Sequence, residues 1–339
     1  DYQFPSVMEI ATVEFEKENV AEYRKFVMVH RKDEDKPNAH KNFYDGLSES
    51  KAFGDLKVKP YHKYMAVVQA DGDNIGKTIA AIGHDEADVK NFSRALFDFA
   101  QKASLLIDRY GGKPVYVGGD DLFFFAPVAV RLDRNLNELP GDYLRTLFDL
   151  INDIDKLFKE KVIESVKLKH IYANGVEKPS LSYGVSVVFT KYPLNEARDI
   201  AHHLLLRAKE KPDDKNKICF RVLRHSGQGF GFTVDKKRTS ANPAAPESYD
   251  FFLALCGKVP DNKTVLSSLV FKLAPFHATL NSIGKDSNRV KDLFDNTFNE
   301  RIHKEEPIKN FLTHARQFTN QVFIDFDYDN EGMPEYETE

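Results

Sequence analysis

Two apolar runs, Pro114-Val115-Tyr116-Val117 and Leu122-Phe123-Phe124-Phe125-Ala126-Pro127, are separated only by Gly118-Gly119-Asp120-Asp121. Runs of this composition joined by a short glycine-rich connection predict a β-hairpin. Upstream, Met65-Ala66-Val67-Val68-Gln69-Ala70 is a further apolar run, consistent with a buried strand, and it stops at the turn cluster Asp71-Gly72-Asp73-Asn74. Between strand and hairpin, Phe92, Ala95, Leu96, Phe99, Ala103, Leu106, Ile107 and Tyr110 recur at three- and four-residue steps and share one helix face. Gly111-Gly112 ends that helix. Downstream, Leu144, Leu147, Phe148, Ile151, Ile154 and Phe158 predict a second helix, and 165–179 a loop insertion. Leu181 to Phe189 follows as a strand, Leu194 to Ala208 as a helix, and Ile218 to Leu223 as the final strand. The order is β-α-β-β-α-β-α-β, and its first six elements are ferredoxin-like. The expected fold is therefore α+β: a palm with an antiparallel sheet and helices on one face, followed by an all-α domain.

The rest of the chain divides around this palm. Residues 1–60 are a mixed, partly helical lead-in, 61–235 the palm, 236–248 a linker rich in Lys, Ser, Pro and Ala, 245–325 a helical domain, and 326–339 an acidic tail. Hydrophobic residues make up 42% of 339, enough to exclude a disordered chain. Lys and Arg number 48 against 52 Asp and Glu, so any nucleic-acid surface must be local. One candidate is 207–238, with ten Lys/Arg against four acids; a solvated helix end and strand edge is the plainer reading. Two cysteines, Cys219 and Cys256, support neither a disulfide framework nor a four-thiolate zinc site, and fit a reducing, cytoplasmic setting. No apolar run approaches a membrane span. A chain that starts at Asp1 reads as a fragment or a processed piece.

The chemistry concentrates in two acidic clusters. Asp71 ends the first strand; Asp120 and Asp121 stand at the hairpin turn. In a β-α-β-β order the first strand lies beside that hairpin, so the three carboxylates are expected to converge at one sheet end. Converging carboxylates repel unless a cation lies between them. Mg²⁺ or Mn²⁺ prefers oxygen ligands and binds through few carboxylates plus substrate phosphates. Two such ions activate a ribose hydroxyl and stabilise a leaving pyrophosphate. Gly72-Asp73-Asn74-Ile75-Gly76-Lys77 feeds a helix N-terminus, where free N–H groups suit a triphosphate. Gly118 and Gly119 let a nucleotide approach the backbone. The plainer alternative is an ordinary glycine-aspartate turn with solvated acids.

Other signals are weaker. Gly72 to Thr78 has three residues between its glycines where a P-loop needs four. Asp325, Asp327 and Asp329 mimic the start of an EF-hand loop, but Asn330 and Tyr336 replace its turn glycine and bidentate glutamate. His84-Asp85 lacks the converging ligands of a nuclease metal site, and His202 and His203 read as structural.

Gln69 to Lys77 and Val117 to Leu122 resemble the cyclase/polymerase palm of the large subunit of type III CRISPR effector complexes, most closely the Cmr type. Phe4-Pro5-Ser6, Ser182-Tyr183-Gly184-Val185-Ser186, Lys191-Tyr192-Pro193-Leu194 and Arg221 to Gly227 agree in order with that family. The resemblance implies a nucleotidyltransferase that converts ATP to cyclic oligoadenylates, working with other subunits of a Cmr-type complex and, through them, guide RNA and target RNA. It implies Asp71 and Asp120 as metal ligands, Asp121 as a ligand or an activator of the 3′-hydroxyl, and the Gly72 carbonyl as a backbone ligand. Asn74 to Lys77 would hold phosphates, with Ser182 and Lys191 near the nucleotide. The chain lacks the length and cysteines for the family's nuclease domain, first palm and zinc site. Two alternatives stay open: a diguanylate-cyclase-like enzyme using GTP, and a non-catalytic palm scaffold.

Overall fold

The structure is a computed structural model, and it describes residues 4–32, 36–131, 144–211, 214–224, 229–237, 248–257, 273–283, 286–298 and 305–325. The EF-hand-like acids past Asp325, the acidic tail and the linker over 238–247 lie outside the described residues. The chain divides into two compact units, Asp1–Lys236 and Lys237–Glu339.

The first unit opens with four helices, α1 (Val7–Ala11), α2 (Val13–Glu18), α3 (Val20–Arg31) and α4 (Ala39–Glu49). Ser6 caps α1 by accepting from the Glu9 amide. Phe15, Tyr23, Phe43, Leu47 and Phe53 bury themselves together, giving this region a core of its own. A buried His62–Glu14 contact of 3.0 Å ties it to the chain entering the sheet.

The sheet is built from β1 (Tyr64–Asp73), β2 (Lys113–Gly118), β3 (Asp121–Pro127), β6 (Ser180–Phe189), β7 (Lys217–Leu223) and β8 (Gly229–Asp235), in the order β2-β3-β1-β6-β7-β8. The two-residue strands β4 (Ala129–Val130) and β5 (Arg145–Thr146) form a separate small ladder. The connecting helices are α5 (Ile75–Ile82), α6 (Glu86–Tyr110), α7 (Leu147–Phe158) and α8 (Leu194–Ala208). The palm order is the expected one, with four differences. The helical stretch after β1 is broken at Gly83, whose φ of +63° suits glycine. The second helix starts at Leu147, because Arg145 and Thr146 pair with Val130 and Ala129 and leave Leu144 outside it.

The third difference is that the sheet is mixed. β6 and β7 run parallel, as a strand–helix–strand crossover through α8 requires, while the other ladders are antiparallel. An eighth strand, β8, extends the sheet beyond the expected last one. Fourth, helices cover both faces. α6 and α7 pack together through Phe99 and Phe158, ring centroids 5.0 Å apart, and the hydroxyl of Tyr183 on β6 donates to Asp155 on α7 at 2.9 Å. α8 lies on the other face, where Ala197 and Ala201 pack with Met65, Val67 and Val188, and Ile10 of α1 joins them. Alternation along the strands sends Tyr183 and its neighbour Gly184 to opposite faces. β8 runs into Lys236, whose buried ammonium donates to Asp155 at 2.6 Å and to the Leu181 carbonyl at 2.9 Å.

The second unit contains α9 (Ser248–Gly257), α10 (His277–Ile283), α11 (Ser287–Thr297) and α12 (Glu306–Asp325). Val290, Phe294, Phe298 and Ala315 form its core. Asp286 caps α11 by accepting from the amides of Asn288 and Arg289.

Candidate functional site

Register brings the acidic residues together. Ala70 pairs with Leu122 across β1 and β3, and Gly118 pairs with Asp121 across the hairpin, so Asp71 and the turn Gly119-Asp120 share one end of the sheet. The hairpin turns through two residues, with Gly119 at φ +67° in the first position, where a tight turn of this kind favours glycine. Gly72 is glycine for a different reason: a Cβ there would stand 2.2 Å from Asp120 Oδ2 and 2.8 Å from its Cβ. The Asp120 side chain lies over the Gly72 backbone.

The carboxyls crowd one another. Asp120 is pushed above the ordinary carboxylate range by partial burial, then by repulsion from Asp71. Asp121 is raised to about 6, by desolvation first, then by a hydrogen bond and repulsion from Asp71 and by Asp120. Lys209, at the end of α8, answers the charge. Its ammonium donates to Asp71 Oδ2 and, at 2.8 Å, to the Gly72 carbonyl, and it stands 3.7 Å from Asp73 Oδ1.

The donor set, carboxylates plus a backbone carbonyl, is the hard-oxygen chemistry that Mg²⁺ or Mn²⁺ takes. An ammonium already rests on two of those oxygens, so the cluster is suited to a cation. Among the described residues, however, no group of three or more His, Cys, Asp or Glu is set out to hold a metal ion. The fit is therefore one of chemistry and place, with the Lys209 ammonium holding the position.

Asp73 and Ser182 depart from their expected roles at the nucleotide. Both are fully buried. Asp73 Oδ2 accepts from Ser180 Oγ at 2.8 Å, Ser182 Oγ at 2.7 Å and the Asn216 amide at 3.0 Å. This network fastens β1, β6 and the chain entering β7 beneath the acidic cluster. We expect Asp73→Ala to cost on the order of 2–4 kcal/mol, because it strands buried donors at about 1–3 kcal/mol each. Thermal melting checks this; a melting temperature equal to wild type would show that the network holds nothing.

The segment after β1 is split in role. Asn74, in the left-handed region at φ 60°, donates its side-chain amide to Glu177 at 2.8 Å, and Lys77 donates to the other Glu177 oxygen at 2.6 Å. The Ile75 side chain leans over Gly72, since a Cβ there would meet it at 2.7 Å. Gly76 and Gly119 face open space, whereas Gly118 is covered by the Tyr116 hydroxyl. Lys191 is a correction. β6 runs antiparallel to β1, with Asp73 opposite Ser180 and Tyr64 opposite Phe189, so Lys191 follows the far end of the strand. Some nine residues at about 3.3 Å each separate that end from the carboxylates.

Lys209, Glu177 and Asn216 were not singled out from the sequence for these places. Lys209 was visible only as one of ten cations in 207–238. A usable signal was its position one residue past the helix that crosses from β6 to β7, which returns the chain to the Asp71 end.

Residues 64–219 match the family described as Cas10/Cmr2, second palm domain. No curated protein matches the chain. Among solved structures, a Csm1-Csm4 cassette in complex with cA4 is similar at 14% identity and a TM-score of 0.37, over 77% of this chain and 36% of that one. A Csm1-Csm4 cassette in complex with pppApA is similar at 12% identity and a TM-score of 0.36, over 76% of this chain and 36% of that one. This chain thus aligns with little more than a third of those proteins. Among the described residues no helix is long and apolar enough to cross a membrane. On this match, residues 64–219, the strand-and-helix core of the first unit, are a palm domain of the Cas10/Cmr2 kind, the palm of type III CRISPR large subunits.

Proposed function

We propose that this palm is a divalent-metal-dependent nucleotidyltransferase that joins ATP into cyclic oligoadenylates within a type III effector. The observation that carries the reading is the meeting of Asp71, the Gly72 carbonyl, Asp120 and Asp121 around a cationic centre. Asp71, Asp120, Asp121 and the Gly72 carbonyl would hold Mg²⁺ or Mn²⁺, which when bound lowers the pKa of a coordinated hydroxyl and neutralises a leaving pyrophosphate. Asp121, raised to about 6 and so ionised at neutral pH, would serve as such a ligand or take the proton of an attacking 3′-hydroxyl. Lys209 would turn from the carboxylates to the triphosphate, supplying a mobile charge-assisted donor. Asn74, Gly76 and Lys77 frame the exposed start of α5 on the phosphate side. The Cmr-type assignment, the neighbouring subunits, and guide and target RNA acting through them belong to the same reading.

Lys209 also favours a second reading. An ammonium that neutralises the cluster in place of a metal would let the palm persist as a scaffold. Calorimetric titration of ATP in Mn²⁺, with GTP as competitor, separates the two. The enzyme reading expects metal-dependent binding that prefers ATP; the scaffold reading expects none, and a preference for GTP would point to the diguanylate-type chemistry.

The pH dependence has a definite sign. A carboxyl with a raised pKa is neutral below that value, and a neutral carboxyl is a poor metal ligand. Metal-dependent ATP binding is therefore expected to weaken as pH falls through about 6, tending toward tenfold per unit for each proton displaced. Folding stability moves oppositely. The folded state holds this proton more tightly than the unfolded one, so Asp121 subtracts stability as pH rises from the ordinary carboxylate value of 3.8 to about 6. Titrations at pH 7.5 and 5.5 check the first; equal affinities would remove Asp121 from the metal site.

A further inference from the structure

One outer edge of the sheet is formed by β8, which among the described residues pairs with β7 alone. Exposed edges are ordinarily blunted by proline, lysine or brevity. β8 is seven residues long, Gly-Phe-Gly-Phe-Thr-Val-Asp, with no proline and no charge before Asp235. Its two phenylalanines are on show: Phe230 is 50% exposed and Phe232 43%. They share one face. Phe232 stands edge-on to Phe220, centroids 3.8 Å apart, and Phe220 contacts Phe148 of α7 at 5.1 Å, so the exposed rings are backed by a packed aromatic row.

Each side of this strand carries an arginine. Arg224 lies over the Phe230 ring, its guanidinium carbon 5.7 Å from the centroid. On the opposite face Arg221 runs along the glycines: a Cβ at Gly231 would meet Arg221 Cβ at 3.3 Å, and one at Gly229 would meet its Nε at 3.5 Å. The glycines themselves answer to the neighbouring backbone, since a Cβ at Gly231 would stand 2.4 Å from the Phe220 carbonyl oxygen and one at Gly229 2.9 Å from the Val222 carbonyl oxygen. Both arginines are exposed, and among the described residues neither is paired with a carboxylate. From Lys217 to Arg238 there are six Lys or Arg and one acid, Asp235.

We propose that β8 with Arg221 and Arg224 is a binding platform for single-stranded nucleic acid, with bases stacked on Phe230 and Phe232 on one face and the phosphate backbone following the open edge of β8 between Arg224 on that face and Arg221 on the other. Aromatic rings accept any unstacked base, and flanking arginines supply phosphate contacts and cation–π support. A partner β-strand would use the open edge and the rings but has no need of two unpaired guanidiniums. Ring stacking and phosphate contacts are common to both polymers, so RNA and DNA of one sequence are expected to bind alike. The platform is independent of the nucleotide site.

The test is fluorescence anisotropy of the full chain with a labelled 12-nucleotide single-stranded RNA, its DNA counterpart, and the RNA duplex, over 50–200 mM salt. Phe230→Ala/Phe232→Ala is expected to weaken single-strand binding about tenfold or more. Phe230→Tyr/Phe232→Tyr retains it, and the duplex binds less well. Arg221→Gln/Arg224→Gln is expected to flatten the logarithmic salt dependence by about 0.7 per lost contact. Melting curves of these surface variants report whether they stay folded. Absence of single-strand binding by the wild-type chain overturns the proposal. So do an Ala pair that binds as wild type, an unchanged salt slope, and a clear preference for RNA over DNA. Phenylalanine-dependent self-association in sedimentation would assign the edge to a second copy of the chain instead.

Discussion

Asp120→Asn is expected to abolish metal-dependent nucleotide chemistry while leaving the protein at least as stable as wild type. Two effects of opposite sign meet at this side chain. As the metal ligand and neutraliser of developing charge that we propose, a carboxylate of this cluster would account for several kcal/mol of transition-state stabilisation, about 10³-fold or more in rate. As a charge, it is unwelcome: burial and Asp71 raise its pKa, so the ionised form is disfavoured in the folded state. The neutral isostere removes that penalty above the raised pKa, the pH window in which Asp120 would otherwise be charged. A purely structural aspartate would lose stability on the same substitution, as we expect of Asp73. Product formation by the chain assembled with its partner subunits, alongside thermal melting, reads both. An Asp120→Asn protein with wild-type activity would end the enzymatic reading; one that melts early but keeps activity would make Asp120 a structural residue.

Gly184→Val is expected to have the largest effect on folding. A Cβ at this position would lie 2.1 Å from the Ala201 carbonyl oxygen and 2.3 Å from the Leu205 amide nitrogen, both backbone atoms of α8. A flexible side chain could yield, but a helix backbone cannot. The helix must lift from the sheet, uncovering Met65 and Val67 and carrying Lys209 away from Asp71. Overpacking commonly costs 1–3 kcal/mol, and here we expect about 3 kcal/mol or more. For a unit of this size that lowers Tm by roughly 6–12 °C. Gly76→Ala is the control: nothing lies within 4 Å of its added Cβ, and on α5 alanine should stabilise by about 0.5–1 kcal/mol. Equal melting of Gly184→Val and wild type would mean that α8 does not approach β6 so closely.

Residues whose structure is decided locally were legible in the sequence. The runs over β1, β3 and β6 are apolar because both faces are covered, and the hairpin turn carries its own glycine. α7 and α8 show their buried stripes at helical spacing. β8 escaped notice for a physical reason: Gly-Phe-Gly-Phe alternation on an exposed edge buries only Val234, so no apolar run marks it. The face taken by α8 follows from chain reversal and crossover, which periodicity does not encode. At the site, convergence of Asp71 with Asp120 and Asp121 followed from strand order. The inward turn of Asp73 did not, since alternation alone places Asp71 and Asp73 on one face and only the serines of β6 decide which carboxylate is buried. Lys191 is the instructive miss, because antiparallel pairing of β6 with β1 already places it at the wrong end.

The partners of this acidic cluster lie far apart along the chain. Lys209 reaches Asp71 across 138 residues of sequence, and the Asn216 amide reaches Asp73 across 143. Contacts of that span form only after the intervening loop has closed, and their entropy cost is met late in folding. During synthesis, a chain that has emerged only through Phe189 can already pair β1, β3 and β6, bringing three carboxylates together with no ammonium to offset them. The cluster therefore opposes sheet closure until α8 arrives, and the chemistry of the site becomes available only once nearly the whole palm has been made.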